Sequence, residues 1–358
     1  MAVFSVAGGV DLVFGNKLGL GKEFERGLKT FGTLALSMLG MIVLAPLFAQ
    51  LLLPILKPSN GKTVFDASVI IASLFANDMG GATLAIIFAD TQEWGYYSGL
   101  VIGSMMGASV SFTLPFVMQA VKREQHKNMM LGLMCGVCTI PMGCIVSGLI
   151  VGLPIGELLW NLLPLLLLSA LLAVGLFCFP QASIKVFRVI GKIVQVIVIV
   201  GLVIGLAEFI LGKDIVPYTA PIEEGIETIF SIVAIMTGAF PLVYVLSKVL
   251  AKPLEKLGEK LGVNKTSALG FLSTIATSVT TFEQMGEMDD KGVVLNSAFA
   301  VSAAFTVADH LAFTLAFNGS YVLAVTVGKL FAGLLAVLLA VVLFYRKKPG
   351  QINKEVLQ

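Results

Sequence analysis

The sequence predicts an all-α integral membrane protein with about nine to eleven transmembrane segments. Of its 358 residues, 57% are hydrophobic and 13% are charged, and the mean hydropathy is +0.95. Soluble domains carry about 25% charged residues, so this chain has too little charge to cover a globular surface. Apolar runs of about 20 residues, the length that spans a bilayer, recur from end to end. The polar loops between them are short.

Eleven hydrophobic segments can be drawn along the chain. They cover residues 1–15, 28–56, 65–89, 96–120, 129–153, 157–179, 184–211, 225–250, 265–286, 292–317 and 320–345. The polar connections include KREQHK at 122–127 and a lysine-rich stretch at 252–265, and a basic tail follows the last segment. No stretch is long and polar enough to form a domain outside the membrane.

Two halves of the chain resemble each other at a nearly constant offset. The matching pairs include Asp11 with Glu208, Gly27 with Gly225, Thr30 with Thr228, Gly40 with Gly238, Ser73 with Ser273, Ala76 with Ala276 and Asp90 with Asp290. Internal duplication of this kind is typical of transporter folds. We expect a first repeat at 1–153, a linking helix at 154–183, a second repeat at 184–345 and a cytoplasmic tail at 346–358. Segment 184–211 begins well before the part that matches 1–15, which predicts a shortened first helix from a truncated or alternative start.

The distribution of Lys and Arg predicts which loops face the cytoplasm. The loops at 122–127, 180–192 and 248–265 and the basic tail should all be inside. If every segment crossed the membrane, including 265–286, the basic tail would lie outside. The tail lies inside if 265–286 is instead a re-entrant hairpin that returns to the side it left. Treating its repeat mate, 65–89, in the same way gives nine spans and makes the two repeats inverted. The alternative is that both are plain spans and that the repeats run parallel.

Ionisable side chains at membrane depth are costly and therefore mark candidate functional sites. Asp78 lies in ANDMGG (76–81), where Asn77 and the pair Gly80–Gly81 predict a break in the helix. We expect Asn77 and Asp78 to bind substrate and both glycines to act as a hinge. The alternative is a polar turn at the membrane surface.

The matching segment of the second repeat is also polar. Its candidate substrate-binding residues are Thr280, Thr281, Phe282, Glu283 and Gln284. The hydroxyls can satisfy backbone groups that a helix break sets free. Glu287, Asp289 and Asp290 are expected at a solvated end.

Asp309 and His310 lie in the middle of an apolar segment, and Asn296 precedes them in the same segment. An adjacent carboxylate and imidazole at membrane depth indicate a proton relay, or a carboxylate whose charge the imidazole modulates. The alternative is a structural pair bonded to neighbouring helices. Together with hydroxyls and aromatic rings, these acids suit a small hydroxylated amine, whose cation carboxylates and aromatic faces attract.

Other classes of protein find little support in the sequence. A membrane protease would need a motif such as HExxH or paired catalytic aspartates, and an ATP-driven pump would need a P-loop. Neither is present, so we expect no enzyme, no metal site and no cofactor. No basic tract indicates nucleic-acid binding.

Four stretches identify a family. FGNKLGLGKEFERG (14–27), ANDMGG (76–81), TTFEQMGEMDDKG (280–292) and NSAFAVSAAFTVADHLAF (296–313) resemble the bacterial ethanolamine-utilisation permeases, and the resemblance covers nearly the whole chain. It implies facilitated uptake of ethanolamine across the bacterial cytoplasmic membrane, where it feeds the ethanolamine ammonia-lyase pathway and its microcompartment. It carries over no established binding residue. A protonated amine with a hydroxyl agrees with the carboxylates and hydroxyls singled out above.

We therefore predict a multi-pass permease of the cytoplasmic membrane, with a midplane site that contains Asp78, Thr280, Glu283 and Asp309. Ethanolamine and membrane lipid are the expected partners, and the oligomeric state, including a homo-oligomer, is left open. Three alternatives stay open for the function. They are a channel-like facilitator, a proton- or sodium-coupled transporter of another small amine or amino alcohol, and a non-transporting scaffold for the ethanolamine-degradation machinery.

Overall fold

The computed structural model describes residues 1–56 and 64–345, which are helical with no β-strand in those ranges. The α-helices are α1 (Ala2–Val13), α2 (Leu20–Leu34), α3 (Gly40–Leu56), α4 (Ala67–Leu74), α5 (Ala82–Phe88), α6 (Gln92–Tyr96), α7 (Leu114–Ala120), α8 (His126–Ile150), α9 (Ile155–Asn161), α10 (Leu163–Cys178), α11 (Pro180–Leu211), α12 (Ile222–Leu261), α13 (Lys265–Ala276), α14 (Ser278–Glu283), α15 (Asp290–Ala303), α16 (Asp309–Asn318) and α17 (Val322–Ala340). Wider π-helical turns cover Ala35–Leu39, Asn77–Gly81, Tyr97–Gly107, Ser109–Thr113 and Val341–Tyr345, and 3₁₀ turns cover Arg123–Gln125, Gln284–Glu287 and Gly319–Tyr321. The predicted tail at 346–358 lies outside the described residues.

The predicted all-α membrane class is confirmed. By length and composition, six helical stretches of the described chain can cross a membrane: Leu20–Leu52, Gln92–Met118, Arg123–Ile150, Pro180–Leu211, Ile222–Val249 and Asp309–Tyr345. A seventh is the pair α9 and α10 if their 45° bend lies within one span. Helices α8, α15 and α17 pack against one another. Segments 65–89, 265–286 and 292–317 fall on shorter helices because the chain breaks within them, and segment 1–15 forms the short helix α1.

Two predicted loops are helical instead. The lysine-rich stretch from 252 belongs to α12, which ends only at Leu261, where Gly262 adopts a left-handed φ of 65°. The predicted linker at 180–192 forms the first turns of α11, with Pro180 at a position that helix starts tolerate. Both errors have one cause. Lysine and arginine are good helix formers, so charge ends the apolar run without ending the helix.

The segments 65–89 and 265–286 are broken, as predicted, and each folds into a hairpin whose arms pack together: α4 on α5, and α13 on α14. In the first hairpin the Asp66 carboxylate at the start of α4 accepts the backbone N–H of Asp90, 3.0 Å away, beyond the end of α5. In the second, the Asp289 carboxylate accepts the backbone N–H of Asn264 at 2.9 Å. Each hairpin therefore begins and ends at the same place, and its tip points away from that base.

A third break was not predicted. Segment 292–317 was expected to be a plain span, but the helix stops at Ala303 and resumes at Asp309. Between them Phe305 adopts a left-handed φ of 61°, and Ala308 is far from helical geometry. Neither Gly nor Pro marks this break in the sequence. It forms because the unwound backbone pairs with the tip of the second hairpin.

The two repeats make reciprocal contacts where α2 packs on α12. Gly27 lies directly against the backbone of Thr237, and Gly225 lies against Leu39. The two contacts join equivalent positions of the repeats, since Gly225 follows Gly27 by 198 residues and Thr237 follows Leu39 by 198. Such reciprocal contacts are expected where two equivalent helices pack antiparallel. The inversion of the whole repeats stays a prediction.

The loop after the first helix of each repeat is built in the same way. The Asp11 carboxylate accepts the backbone N–H of Leu18, and the Glu208 carboxylate accepts that of Ile215, each bond being 2.9 Å long and spanning seven residues. Carboxylates bonded to several backbone N–H groups are strong structural anchors. The common geometry supports the duplication seen in the sequence.

Candidate substrate-binding site

A cavity of about 320 Å³ lies where the tips of the two hairpins meet. Its walls include Arg26, Thr30, Thr33 and Ser37 from the first long helix, Ala76, Asp78 and Met79 from the first tip, Met236 and Phe240 from α12, Thr277, Val279 and Thr280 from the second tip, and Phe305, Asp309 and His310 from the third break. We call this space the central cavity. Three interruptions of helical structure converge on it, and each exposes side chains or backbone that a continuous helix would bury.

Glycines shape the first tip. The chain is extended at Phe75 and Ala76, and Gly80 then takes a left-handed φ of 82°. Gly81 closes the turn by donating its N–H to the Ala76 carbonyl at 2.9 Å, and a Cβ on Gly81 would clash with that carbonyl. The turn directs the half-buried Asp78 into the central cavity. The two glycines predicted as a hinge are thus required by this conformation.

Asn77 lies behind the tip and does not line the cavity. It is fully buried beside Gly103, and neither polar atom of its side chain has a hydrogen-bond partner among the described residues. A buried amide without partners is rare and costly.

The second tip is held by the third break. Thr277 is extended, and its hydroxyl caps α14 by accepting the N–H of Val279. The unwound stretch crosses this tip, and its Phe305 N–H donates to the Thr274 carbonyl at 3.1 Å while its Val307 N–H donates to the Ile275 carbonyl at 2.9 Å. These bonds satisfy backbone groups that both breaks set free, which is the condition for unwound chain at membrane depth. As a result Asp309 starts α16 at the cavity wall.

The charges of the site come from both halves of the chain. Asp78 and Asp309 are close enough to repel each other, and Arg26 attracts Asp309. The Arg26 guanidinium also lies 4.9 Å from the centre of the Phe240 ring, where a cation is favoured. The cavity thus holds two carboxylates and one fixed cation at its wall.

Sequence reasoning missed Lys329, the buried cation behind the site. Its side chain is 1% exposed on α17, and its Nζ donates to the Ser104 carbonyl at 2.6 Å and lies 3.0 Å from His310 Nδ1. It is also near enough to attract Asp78. The available signal was a single lysine inside the apolar run VTVGKLFAG, which membrane depth alone makes a functional candidate.

Several predicted site residues lie elsewhere. Thr281 is buried and bonds to the Thr274 hydroxyl and the Gly270 carbonyl, and Phe282 is buried in the core. Asn296 donates to two backbone carbonyls, those of Ser267 and Gly292, near the base of the second hairpin. None of these three side chains lines the central cavity.

Glu283 and Gln284 are exposed and outside the central cavity. The reason is the position of the break, which falls at Thr277 and not beside Glu283. Helix α14 then carries Glu283 away from the tip. Of the ten predicted binding residues, the structure brings Asp78, Thr280, Asp309 and His310 together at the cavity wall.

Two further cavities follow the same face of α12. One, of about 440 Å³, reaches Tyr244 and Lys248 and shares Arg26, Phe240, Thr277 and Thr280 with the central cavity; we call it the lysine-side cavity. The other, of about 310 Å³, lies near the opposite end of α12, beside Glu224 and Glu227; we call it the glutamate-side cavity. Its floor includes Phe313 and Phe317, whose stacked rings are 5.2 Å apart.

Within residues 1–56 and 64–345, no group of three His, Cys, Asp or Glu side chains is placed to hold a metal ion. Broken helices that meet at an aqueous cavity inside a helical membrane protein are the arrangement used by secondary transporters. The fold and the site therefore define a multi-pass membrane protein of the transporter type.

The comparisons identify the family. The family model described as "Ethanolamine utilisation protein, EutH" matches residues 1–343. The chain is 40% identical over 355 residues to a "Probable ethanolamine permease EutH" of Listeria monocytogenes, covering 99% of this chain and 95% of that protein. It is 35% identical to the protein of the same name from Salmonella typhimurium, covering 96% and 90%, and 36% identical to "Uncharacterized protein YxeR" of Bacillus subtilis, covering 94% and 91%. No solved structure gave a significant match.

The chain belongs to the EutH family of ethanolamine utilisation proteins. Like the permeases it resembles, it is a multi-pass protein of the bacterial inner membrane.

Proposed function

We propose that this protein carries ethanolamine into the bacterial cell by facilitated transport, and that the substrate binds in the central cavity. The names of the relatives support the substrate, since three of them are called ethanolamine permeases. The observation that carries the site is the meeting of Asp78 and Asp309, from two different helix breaks, in one cavity.

The cavity offers partners for both ends of ethanolamine. Its ammonium group is attracted by the carboxylates of Asp78 and Asp309, and its hydroxyl can bond to the Thr280 hydroxyl on the facing tip. The ring of Phe305 lies in the wall and adds attraction for a cation. A volume of about 320 Å³ has room for about ten waters at roughly 30 Å³ each. A substrate of four heavy atoms is therefore bound partly through water, which suits rapid release.

The order of the cavities supports a route across the membrane. The lysine-side cavity shares walls with the central cavity, whereas the glutamate-side cavity, lined by the stacked Phe313 and Phe317, shares no lining residue with it. Lysine-rich ends face the cytoplasm in membrane proteins. The structure then corresponds to a state open to the cytoplasm. If the two repeats exchanged conformations at the contacts between α2 and α12, the cavity would open to the opposite side of the membrane, as it does in transporters with inverted repeats.

Uptake of radiolabelled ethanolamine into proteoliposomes tests this proposal. D78N and D309N should each reduce protein-dependent uptake at least tenfold, because each removes one charge that attracts the ammonium. E283Q is the matched control, since it makes the same change at an exposed carboxylate outside the cavity, and it should transport normally. Absence of any protein-dependent uptake would exclude a transporter and leave the scaffold alternative. Normal uptake by both aspartate variants would exclude the proposed site.

A further inference from the structure

Lys329 has no carboxylate in contact. Its Nζ meets two neutral acceptors, the Ser104 carbonyl and His310 Nδ1, and no ion pair to Lys329 occurs in the described ranges. Burial of an ammonium group without a bonded counter-charge is costly, whereas a nearby carboxylate favours the charge. Among the basic side chains, lysine changes its protonation most readily in such surroundings.

The titratable groups nearest this ammonium come from several elements. Asp78 on the first tip attracts it, His310 on α16 contacts it directly, and the Cys144 thiol on α8 lies close by. Tyr97 stands behind Cys144, with its hydroxyl donating to the Cys144 carbonyl at 2.8 Å. Within residues 1–56 and 64–345, Asp78 is the acid whose charge acts on Lys329.

Each carboxylate therefore has one protein cation acting on it, Arg26 on Asp309 and Lys329 on Asp78. Arg26 is itself within 3.5 Å of Glu23 at the mouth of the cavity. When a substrate ammonium binds, three cations, Arg26, Lys329 and the substrate, face the two carboxylates of Asp78 and Asp309. Arginine does not release its proton in proteins, whereas lysine can. Lys329 is thus the group able to relieve the excess charge.

We propose that Lys329 exchanges its proton for the substrate cation, so that ethanolamine crosses the membrane without net movement of charge. This inference rests on the proposed function. As the substrate binds, Lys329 Nζ passes a proton to His310 Nδ1, and His310 Nε2 releases its own proton to water in the central cavity. The imidazole ends neutral in its other tautomer. After release on the far side, Lys329 regains a proton from that side by the reverse route.

The test compares labelled uptake with electrical current on the same proteoliposomes, after subtraction of the leak through protein-free liposomes. Wild type should take up ethanolamine with no sustained current and with one proton released outside per molecule, read by a pH dye. K329Q should carry one charge per molecule, release no proton, and accumulate substrate tenfold per about 59 mV of potential. K185Q, the same change on an exposed face of α11, should behave as wild type.

Each outcome has a distinct meaning. A sustained current of one charge per ethanolamine molecule in wild type overturns the proton exchange. A folded K329Q that carries no current, or that takes up no ethanolamine, overturns it as well. A lysine with only a structural role would change the amount of folded protein and not the charge carried. If K329Q is not recovered folded, H310Q replaces it and should slow electroneutral uptake at least tenfold; an unchanged rate overturns the route. Wild type without any uptake refutes the proposed function itself.

Discussion

The hydrogen bonds of Asp66 at the base of the first hairpin, which we call the Asp66 clasp, test how the central cavity is held in place. The Asp66 side chain is 3% exposed, and its carboxylate accepts three hydrogen bonds: from the backbone N–H and the hydroxyl of Ser68, at 2.9 and 2.5 Å, and from the backbone N–H of Asp90, at 3.0 Å. The first two start α4, and the third joins the two arms. Asp66→Ala removes all three.

Hydrogen bonds to a charged group contribute about 1.5–3 kcal/mol each, and Ser68 can turn its hydroxyl to another acceptor. We therefore expect the substitution to lower the free energy of local opening by about 3–5 kcal/mol. At about 1.4 kcal/mol per tenfold change, amide hydrogen exchange in α4 and α5 should accelerate by two to four decades. Exchange in α8 and α17, which lie outside the hairpin, should change little.

Hydrogen–deuterium exchange read by mass spectrometry on protein in lipid nanodiscs measures this difference. D214A, which removes an exposed aspartate between α11 and α12, is the matched control and should leave both hairpin arms protected. Unchanged exchange in α4 and α5 would show that the clasp does not hold the hairpin. Equal acceleration across the whole protein would show that the hairpin does not open separately.

Two further predictions separate structural from binding residues at the tips. Gly80→Ala places a side chain at a φ of 82° and its Cβ 2.8 Å from that of Met41, so we expect a loss of about 1–3 kcal/mol and a lower melting temperature with slower uptake. Thr281→Val removes a buried hydroxyl bonded to Thr274 and Gly270, so stability should fall by about 1–2 kcal/mol at an unchanged KM for uptake. A raised KM with normal stability would instead place Thr281 at the substrate.

Much of the architecture could be predicted because it depends on hydropathy and on charge at the loops. The broken segments followed from one inconsistency, since the basic loops could not all face the cytoplasm if 265–286 crossed the membrane. The clasps at Asp66 and Asp289 show why a fold-back is stable there: each carboxylate joins the two ends of its hairpin. Hydropathy predicted which segments are apolar enough to enter the membrane, and the charges of the loops predicted which of them fold back.

The site was predicted less well because its geometry depends on tertiary backbone bonds. The break before Asp309 contains no residue that disfavours a helix; it exists because the tip of the second hairpin accepts the N–H groups of Phe305 and Val307. Glu283 was placed at the site because it lies in the polar segment that matches the first broken one, and the break at Thr277 leaves it outside the cavity. The apolar run around Lys329 marks it as a candidate, but its partners Ser104 and His310 come from other helices and could not be read from the sequence.

The two halves contribute unlike groups to one cavity, and this follows from where the duplication fails. At an offset of 200 residues, Asp78 corresponds to Ser278 and Asp309 to Ser109. The first half keeps its crossing helix wound in wide turns from Tyr97 to Gly107, whereas the second half unwinds it before Asp309. A perfectly two-fold cavity would present the same groups to both ends of a ligand. Ethanolamine has a cation at one end and a hydroxyl at the other, so the proposed binding in a single orientation requires a site of this unequal kind.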